Sequence, residues 1–390
     1  MICFILDNQV MYKKRRILGQ QMMALLAIGL IGSPLTAQAQ DLDLNLGGRY
    51  MLDYTRGDLT HQDVEIRKGG IRRFRVNLSG DIGSDIEFEA EVDIDGDEID
   101  FTDVKLAFSP KGSPWTLVVG QQRTSVSLDE QTSSRFSSTL ERAAFTDAFD
   151  FSRRLGVSVS HDGDRHHISF GGYSSNINGS GGGGFDLGSA ASARFVYNLI
   201  KTDSVILHLG SSWRYRAKGK DNRDIRYEQK PYSRNFPDDI IKTPRFAESD
   251  HFLGLEAAIT TGKFWVAGEY GALFANGDGD EPDANFNGQY IEAGYFIGGE
   301  KSYSGDGFGR PKIDSPLLKG GLGALSLVTR YDRLDLADDI YVGEIETYIL
   351  GVDWWPSEHT RVGVNYFDIE AEDGVSRAGD GVLVRAQFDF

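Results

Sequence analysis

The sequence predicts an all-β protein: a transmembrane antiparallel β-barrel of 16 strands, preceded by a cleavable signal peptide. Three observations support this prediction: a leader-like N-terminus, an alternation of apolar and polar residues that recurs along the chain, and connections that alternate between short and long. The chain has 390 residues, with 47 Gly, 10 Pro and a single Cys. No stretch beyond the N-terminus approaches the ~18 consecutive apolar residues that indicate a membrane-spanning helix.

The N-terminus has the order of a secretory signal peptide. The basic residues Lys13–Arg16 precede an apolar run from Met22 to Leu35, and Ala37-Gln38-Ala39 then matches an A-x-A cleavage pattern. We therefore expect residues 1–39 to be a signal peptide and residues 40–390 to be the exported outer-membrane barrel. A short membrane anchor is the weaker alternative, because the apolar run is too short to span a bilayer.

Charge and cysteine content exclude several classes of function. The formal net charge is −17 at pH 7, from 41 Lys and Arg against 58 Asp and Glu. A general nucleic-acid binder needs a basic surface, which this balance does not favour. The only cysteine, Cys3, lies in the leader and excludes an internal disulfide framework. Whether translation starts at Met1 or at Met11 stays open.

Alternation with a period of two dominates the rest of the chain. In Arg73–Ser79 and in Val382–Phe390 every second residue is apolar, and Asp85–Asp93 repeats the pattern with carboxylates. Successive side chains of a strand point to opposite faces, so each segment has an apolar and a polar wall. The candidate strands are residues 44–55, 71–80, 85–94, 100–109, 115–123, 151–161, 165–175, 191–200, 204–217, 251–261, 263–274, 288–298, 324–335, 344–355, 360–370 and 381–390. Sixteen is an even number, as single-chain bacterial barrels have, with lipid outside and water inside.

The connections predict the orientation of the barrel. Most joints that follow an even-numbered strand are short, whereas long joints follow odd-numbered strands at 124–150, 176–190, 218–250 and 275–287. Short periplasmic turns and longer outer loops are typical of outer-membrane barrels. The joint 299–323 is long although it should be periplasmic, and long ordered connections are usually functional. The candidates for interfacial aromatic girdles are Trp354, Trp355, Tyr295, Tyr348 and Tyr366.

Alternation also predicts which charged residues face the lumen. In the second strand Phe74, Val76 and Leu78 would face lipid, which places Arg73 and Arg75 inside. By the same rule the ninth strand directs basic side chains inward at spacing two, with no acid among them: Arg214, Arg216, Lys218 and Lys220. Like charges on one wall repel one another and lower the stability of the fold. This cost is explained if the row of cations attracts a passing anion along the pore. A solvated strand tip beside lipopolysaccharide phosphates is the alternative.

The third strand carries acids on its predicted inner wall. Its inward residues are Glu87, Glu89, Glu91 and Asp93. Because it neighbours the second strand, we expect Arg73 and Arg75 to pair with some of these carboxylates across the strands. Composition alone therefore does not determine the ion selectivity of the lumen.

The chain resembles the phosphate-selective porins of the O and P type over essentially its whole mature length. The motifs that carry the resemblance are Gly48–Tyr54, Arg72–Gly80, Val119–Arg123, Ser127–Glu130, Ser133-Ser134, Glu141-Arg142, Arg153–Val157, Gly299–Lys301, Phe308–Lys312 and Arg330–Leu336. The resemblance implies a trimer of sixteen-stranded barrels, each with its own anion pore. It also implies that loops 124–150 and 218–250 and the long turn 299–323 fold inward and narrow the channel.

The resemblance further assigns roles to basic residues. It implies a central anion site at Arg73, Arg75 and Arg123, where Arg123 replaces the lysine that the family commonly has. A guanidinium offers phosphate a bidentate fork, so this exchange keeps anion binding but can alter its preference. The implied anion ladder is Arg214, Arg216 and Lys218, and the implied periplasmic exit residues are Lys301, Lys312 and Lys319. Loop 221–250 mixes bases and acids, which disfavours strong phosphate capture at the mouth.

The resulting expectation is an outer-membrane porin of a Gram-negative bacterium. It would form a water-filled, anion-preferring channel for passive uptake of phosphate or polyphosphate, surrounded by outer-membrane lipid and lipopolysaccharide and assembled as a homotrimer. We expect no catalytic residue, metal, cofactor or nucleic-acid partner. The alternatives are a general or differently selective diffusion porin on the same barrel and, less so, an outer-membrane enzyme or a structural barrel.

Overall fold

The structure is a computed structural model that describes residues 42–60, 64–95, 98–174, 176–178, 188–219 and 224–390. The expected signal peptide, residues 1–39, and Lys220 of the predicted ladder lie outside the described residues. Asp43–Phe390 form one compact unit. In the part of the chain that the structure describes, no helix combines the length and the apolar character needed to cross a bilayer.

Sixteen antiparallel strands of the described residues close into a barrel. They are β1 (Leu42–Thr60), β2 (Val64–Ile82), β3 (Ile86–Asp95), β4 (Glu98–Phe108), β5 (Trp115–Arg123), β6 (Arg153–Asp162), β7 (His166–Tyr173), β8 (Ser189–Lys201), β9 (Ile206–Ala217), β12 (Ala247–Thr260), β13 (Phe264–Gly277), β14 (Ala284–Ile297), β19 (Ala324–Asp335), β20 (Glu344–Ser357), β21 (Thr360–Glu372) and β22 (Ser376–Asp389). Strands β1 and β22 close the barrel, with a register that runs from Arg49 opposite Asp389 to Thr60 opposite Ala378.

The connections between the barrel strands contain short strands and helices, which carry the remaining labels. They are β10 (Glu228–Gln229), β11 (Ile241–Lys242), β15 (Gly299–Glu300), β16 (Tyr303–Ser304), β17 (Gly307–Phe308) and β18 (Lys312–Ile313), with the helices α1 (Leu128–Gln131) and α2 (Ala144–Ala148) and a 3₁₀ turn at Leu317–Lys319. We call residues 124–152 the constriction loop, residues 218–246 the cap loop and residues 298–323 the inner turn.

The sixteen-stranded fold class predicted from the sequence is confirmed, and each predicted segment overlaps one barrel strand. The prediction of a long loop at 275–287 is wrong. There β13 and β14 continue their pairing to Ala275 opposite Ala284, so the connection shrinks to residues 278–283. Alanine and glycine at these positions hide the alternation, because their small side chains mark neither wall clearly.

The two walls of the barrel follow the alternation. On β21 the outward residues Val362, Val364 and Tyr366 are 40–42% exposed, whereas the inward residues Arg361 and Asn365 are at most 1% exposed. An apolar outer wall around a polar interior is the arrangement of an outer-membrane barrel.

Four of the five predicted girdle aromatics face outward. These are Trp354, Tyr295, Tyr348 and Tyr366, each at least one-third exposed. Trp355 does not belong to the girdle: it is 3% exposed, and its Nε1–H donates to Ser326 Oγ inside the barrel at 3.1 Å. Adjacent residues of a strand face opposite walls, so Trp354 and Trp355 could not both contact lipid.

Candidate anion pathway

The constriction loop lies against the inner wall of the barrel. Its α1 begins above Glu269 of β13, whose carboxylate accepts hydrogen bonds from the backbone N–H of Leu128 at 3.0 Å and of Asp129 at 2.7 Å. The hydroxyl of Tyr290 donates to the same carboxylate at 3.0 Å. Burial raises the pKa of Asp129, but the nearby Arg330 and Arg142 outweigh it, so the pKa lies below its usual value. The wall thus holds the start of the loop through hydrogen bonds that converge on the carboxyl group of Glu269.

Inward side chains on the last barrel strands hold the return of the loop. Arg361 donates to the carbonyls of Ser137 at 2.9 Å and Ser138 at 3.2 Å. Arg385 donates to the carbonyl of Leu140 and pairs with Glu141 at 2.9 Å. These contacts come from side chains more than 200 residues away in the sequence. They fix the position of the loop across the lumen.

The inner turn also supports the constriction loop. Lys301 Nζ donates to Ser138 Oγ at 2.7 Å, and it lies 4.7 Å from the ring centre of Trp265 and 4.5 Å from that of Phe308. Burial lowers the pKa of Lys301 to about 8. Arg310 lies over the ring of Phe136 at 5.0 Å. Lys301 and Arg310 of the inner turn therefore reinforce the constriction loop.

The cap loop also reaches into the barrel. Tyr232 OH donates to Asn365 Oδ1 of β21 at 2.6 Å, and Ser233 shares a hydrogen bond of 2.7 Å with Thr55 of β1. Phe236 is 1% exposed and packs against Phe367. The constriction loop, cap loop and inner turn thus all contact the inner wall, as the family resemblance implies.

Two cavities lie along β2 and β3 and mark the candidate pathway. The upper cavity, toward the long loops, has a volume of about 570 Å³ and is lined by Arg73, Arg75 and Asp93 among others. The lower cavity, toward the short turns, has a volume of about 360 Å³ and contains Glu87 and Glu89. The inward acidic side chains of β3 therefore extend from the lower cavity to the upper one, and Glu91 lies between the two cavities.

Ion pairs form the layer between the cavities. Glu91, 4% exposed, pairs with Arg49 at 2.8 Å and with Arg75 at 3.0 Å. Arg75 also binds Asp93 at 2.7 Å. The pairing of Arg75 with third-strand acids, expected from the sequence, is therefore present in the structure, whereas the ion pairs of the described residues include none formed by Arg73.

A β-bulge places two further polar residues in this layer. Between Ala90 and Val92 of β3 a single residue opposes two residues of β4, Thr102 and Asp103, and both are 7% exposed. Asp103 binds Arg153 of β6 at 2.7 Å. A bulge inserts an extra residue into one strand, so strict alternation could not predict that both side chains turn inward.

Both signs of charge line the upper cavity. Seven of its lining residues are acidic, and the seven basic ones are Arg72, Arg73, Arg75, Arg142, Arg153, Lys230 and Arg234. Neither the alternation nor the family resemblance assigned Arg72, Arg142 or Arg153 to the site. Arg72 binds Glu141 at 2.8 Å, although strict alternation beside Arg73 would direct it outward. The motifs that carry the family resemblance contain all three arginines and were the available signal.

Arg73 and Arg123 differ from Arg75 and from the ladder residues, because no ion pair of the described residues includes either of them. Arg73 donates to Ser134 Oγ at 2.7 Å, and Arg72, Arg75, Arg142 and Arg49 act on it electrostatically. Arg123 donates to the carbonyls of Glu130 at 2.6 Å and Gln131 at 3.3 Å. It is not among the residues that line the upper cavity. Of the three predicted central residues, only Arg73 combines a place in the cavity with the lack of a carboxylate partner in the described chain.

The predicted ladder residues lie near the outer end, but each has acidic partners. Arg214 binds Asp250 of β12 at 2.7 Å, and Arg216 binds the same carboxylate at 2.5 Å. Asp150 of the constriction loop adds a second pair with Arg216 at 2.8 Å. Arg214 and Arg216 are therefore paired with acids that are distant in sequence, and do not form the series of mutually repelling cations that the strand alone suggests. Their role as an anion ladder stays a prediction.

Lys218 continues this pattern. Its ammonium hydrogen bonds with Asp224 of the cap loop and with Asp278, and these bonds raise its pKa. The predicted exit lysines are not brought together either. Lys301 is 6% exposed beneath the constriction loop, whereas Lys312 and Lys319 are exposed on the inner turn.

Comparisons with known proteins agree with this architecture. An uncharacterized protein of Caulobacter vibrioides is 32% identical over 341 residues, which cover 84% of this chain and 68% of the relative. An anion-selective porin from Comamonas acidovorans has a TM-score of 0.59 at 15% identity, covering 89% of this chain and 100% of that one. The outer membrane channel DcaP of Acinetobacter baumannii has a TM-score of 0.56 at 12% identity, covering 90% and 99%.

The family model for phosphate-selective porin O and P matches residues 44–390, which include all but the first two residues of the described barrel. A closed barrel with an apolar outer wall and an inward-folded constriction loop is the structure that such a porin requires. The chain belongs to the phosphate-selective porin O and P family of outer-membrane porins.

Proposed function

We propose that this porin forms an anion-preferring diffusion channel in which Arg73 is the principal contact for a small oxyanion such as inorganic phosphate. The observation that carries the proposal is the guanidinium of Arg73 in the upper cavity, bound to a serine hydroxyl and outside the ion pairs of the described residues. An ion-paired guanidinium is largely neutralised, whereas an unpaired one offers full charge and a forked donor pattern to an anion.

The surroundings of Arg73 favour one small anion over a long polyanion. Arg72, Arg75 and Arg142 contribute positive potential, but each already binds a carboxylate. A chain of phosphates needs several unpaired cations in series, which the neutralised outer residues Arg214 and Arg216 do not provide. We therefore infer a preference for phosphate over polyphosphate. Binding must stay weak enough for release, because conduction requires the ion to leave.

The test is the reversal potential of the refolded protein in a planar bilayer under a KCl gradient, with and without phosphate. Arg73→Gln should lower the anion-to-cation permeability ratio several-fold and weaken block of the chloride current by phosphate. The matched control is Arg234→Gln. Arg234 lines the same cavity but is paired with Asp147 at 2.7 Å. Its replacement changes the net charge by the same amount as Arg73→Gln but removes no unpaired cation.

Two outcomes would contradict the proposal. Equal effects of the two substitutions would mean that overall charge, not Arg73, sets selectivity, and the protein would then be a general diffusion porin. A wild-type channel that is cation-selective would exclude anion preference altogether. Arg123→Ala provides a further comparison, and we expect a smaller effect than for Arg73→Gln because loop carbonyls already occupy the Arg123 guanidinium.

We also propose that the protein is a homotrimer. The support is the family membership and the trimeric form described for OmpT of Vibrio cholerae, a structure with a TM-score of 0.57 at 11% identity. Analytical ultracentrifugation of the detergent-solubilised protein tests this: a mass of one barrel would overturn it.

A further inference from the structure

The two most exposed large apolar residues of the described chain lie close together on the inner turn. Leu318 is 93% exposed and Leu322 is 85% exposed, and Leu317 before them is 44% exposed. Single exposed leucines are common on protein surfaces, but side chains that protrude almost fully and lie four positions apart form a patch that calls for an apolar partner.

The backbone of this segment is well ordered by its own hydrogen bonds. Lys319 N donates to the Pro316 carbonyl at 3.0 Å, Gly321 N to the same carbonyl at 3.1 Å, and Gly323 N to the Ser315 carbonyl at 2.9 Å. Gly320 has φ 84°, a conformation that favours glycine. The leucines are therefore presented by a closed turn that holds them outward.

The outer wall of the barrel fixes the location of the segment. The indole Nε1–H of Trp354 donates to the carbonyl of Leu322 at 2.8 Å. Trp354 is one of the outward aromatics, and its neighbour across the strands, Leu325, is also outward and 41% exposed. The leucine patch is thus continuous with the lipid-facing surface at the short-turn end, which faces the periplasm in outer-membrane barrels.

We propose that residues 316–322 form an anchor in the periplasmic leaflet of the outer membrane. Leu318 and Leu322 insert into the acyl chains, and the exposed ammonium of Lys319 binds the phosphate of a phospholipid headgroup. Leucine at acyl depth, an indole at the interface and a lysine that reaches the headgroups are the usual distribution at a membrane surface. The proposal rests on the outer-membrane location and is independent of ion selectivity.

The test uses the mature protein, which should contain no cysteine once the expected leader is removed. Leu318→Cys, labelled with an environment-sensitive nitrobenzoxadiazole dye, is refolded into phosphatidylcholine vesicles with and without brominated acyl chains. Bromine quenches dyes at acyl depth, so we expect at least a twofold loss of fluorescence. The control is Ser84→Cys, an exposed position on the β2–β3 turn at the same end of the barrel, and it should lose little.

The headgroup contact is tested in the same system. Lys319→Gln in the Leu318→Cys background should reduce quenching, and Lys319→Arg should restore it, because arginine also binds phosphate. Two observations together would mean that a second copy of the chain covers the patch: disulfide-linked dimers of the Leu318→Cys protein before labelling, and no quenching of the dye after labelling. Unquenched label without dimers would mean that the patch faces water. Either result overturns the anchor, whereas the reversal potential of the channel would be unchanged in every case.

Discussion

Lys301 allows a test of whether a lumen lysine supports the constriction loop or contacts the transported anion. The resemblance assigns it to the periplasmic exit, but the structure buries it between the inner turn and the constriction loop, with a pKa lowered to about 8 by that burial. We consider Lys301→Met, which keeps an unbranched apolar stem and removes the ammonium. Ser138 retains a hydrogen bond to Glu292 at 2.5 Å after the substitution.

The magnitude follows from the displacement of the pKa. A drop from 10.5 to about 8 means that the folded protein disfavours the ammonium form, relative to the unfolded chain, by roughly 3 kcal/mol. Between pH 8 and 10.5 the unfolded chain binds more protons at this site than the folded chain. Stability of the wild type should therefore rise with pH across this window, by roughly 3 kcal/mol.

Equilibrium guanidinium unfolding in lipid vesicles, followed by tryptophan fluorescence, measures the effect. The free energy of unfolding of Lys301→Met should lack the rise between pH 8 and 10.5 and should exceed that of the wild type at pH 7.5. Lys312→Met, at an exposed lysine of the same turn, should keep the wild-type slope. A Lys301→Met protein that retains the full slope, or that is less stable at pH 7.5, would refute the assignment of Lys301 as a buried support.

Two further predictions concern the geometry of the pore. Glu269→Gln should replace one carboxyl oxygen that accepts from the backbone N–H groups of Leu128 and Asp129 with an amide NH₂, which cannot accept. This should weaken the loop anchor by about 1–3 kcal/mol and increase single-channel conductance and its noise; unchanged traces would contradict it. Gly120 has φ 130°, and a Cβ there would lie 2.2 Å from the Val104 carbonyl oxygen, so Gly120→Ala should cost at least about 2 kcal/mol. The folded fraction on electrophoresis without heating measures this loss, and Gly112→Ala, where a Cβ meets open space, should cost less.

The strands could be predicted from the sequence because the bilayer and the lumen impose opposite demands on alternate residues. This constraint acts on each residue locally, so it is visible in segments such as β21 without knowledge of the partner strand. It fails where side chains are small, as at Ala275 and Ala284, and where the strand is irregular. Trp115, Leu117 and Val119 are outward on β5, and continued alternation would place Arg123 outward too. The unusual φ of Gly120 interrupts that series.

The charge partners in the site could not be predicted, because they depend on register and on loops that return from far along the chain. Arg214 and Asp250 are 36 residues apart and meet only because β9 pairs with β12 in one particular register. Arg385 and Glu141 are 244 residues apart. A sequence shows how many cations face the lumen, but not which of them already have a carboxylate.

That distinction determines how the pore can select anions. At the interior of a barrel a guanidinium and its carboxylate form a dipole, whose field falls off faster with distance than that of a single charge. The many arginines that fix the constriction loop, such as Arg330, Arg361 and Arg385, are therefore weak attractants for a passing ion despite their number. Arg73 binds only a neutral serine hydroxyl among its described hydrogen bonds, so its charge acts on the cavity with little compensation. Selectivity in this porin should thus follow the few cations that the scaffold leaves unpaired. A substitution that frees a paired arginine, such as Asp250→Asn beside Arg214, should raise anion preference although it adds no cation to the lumen.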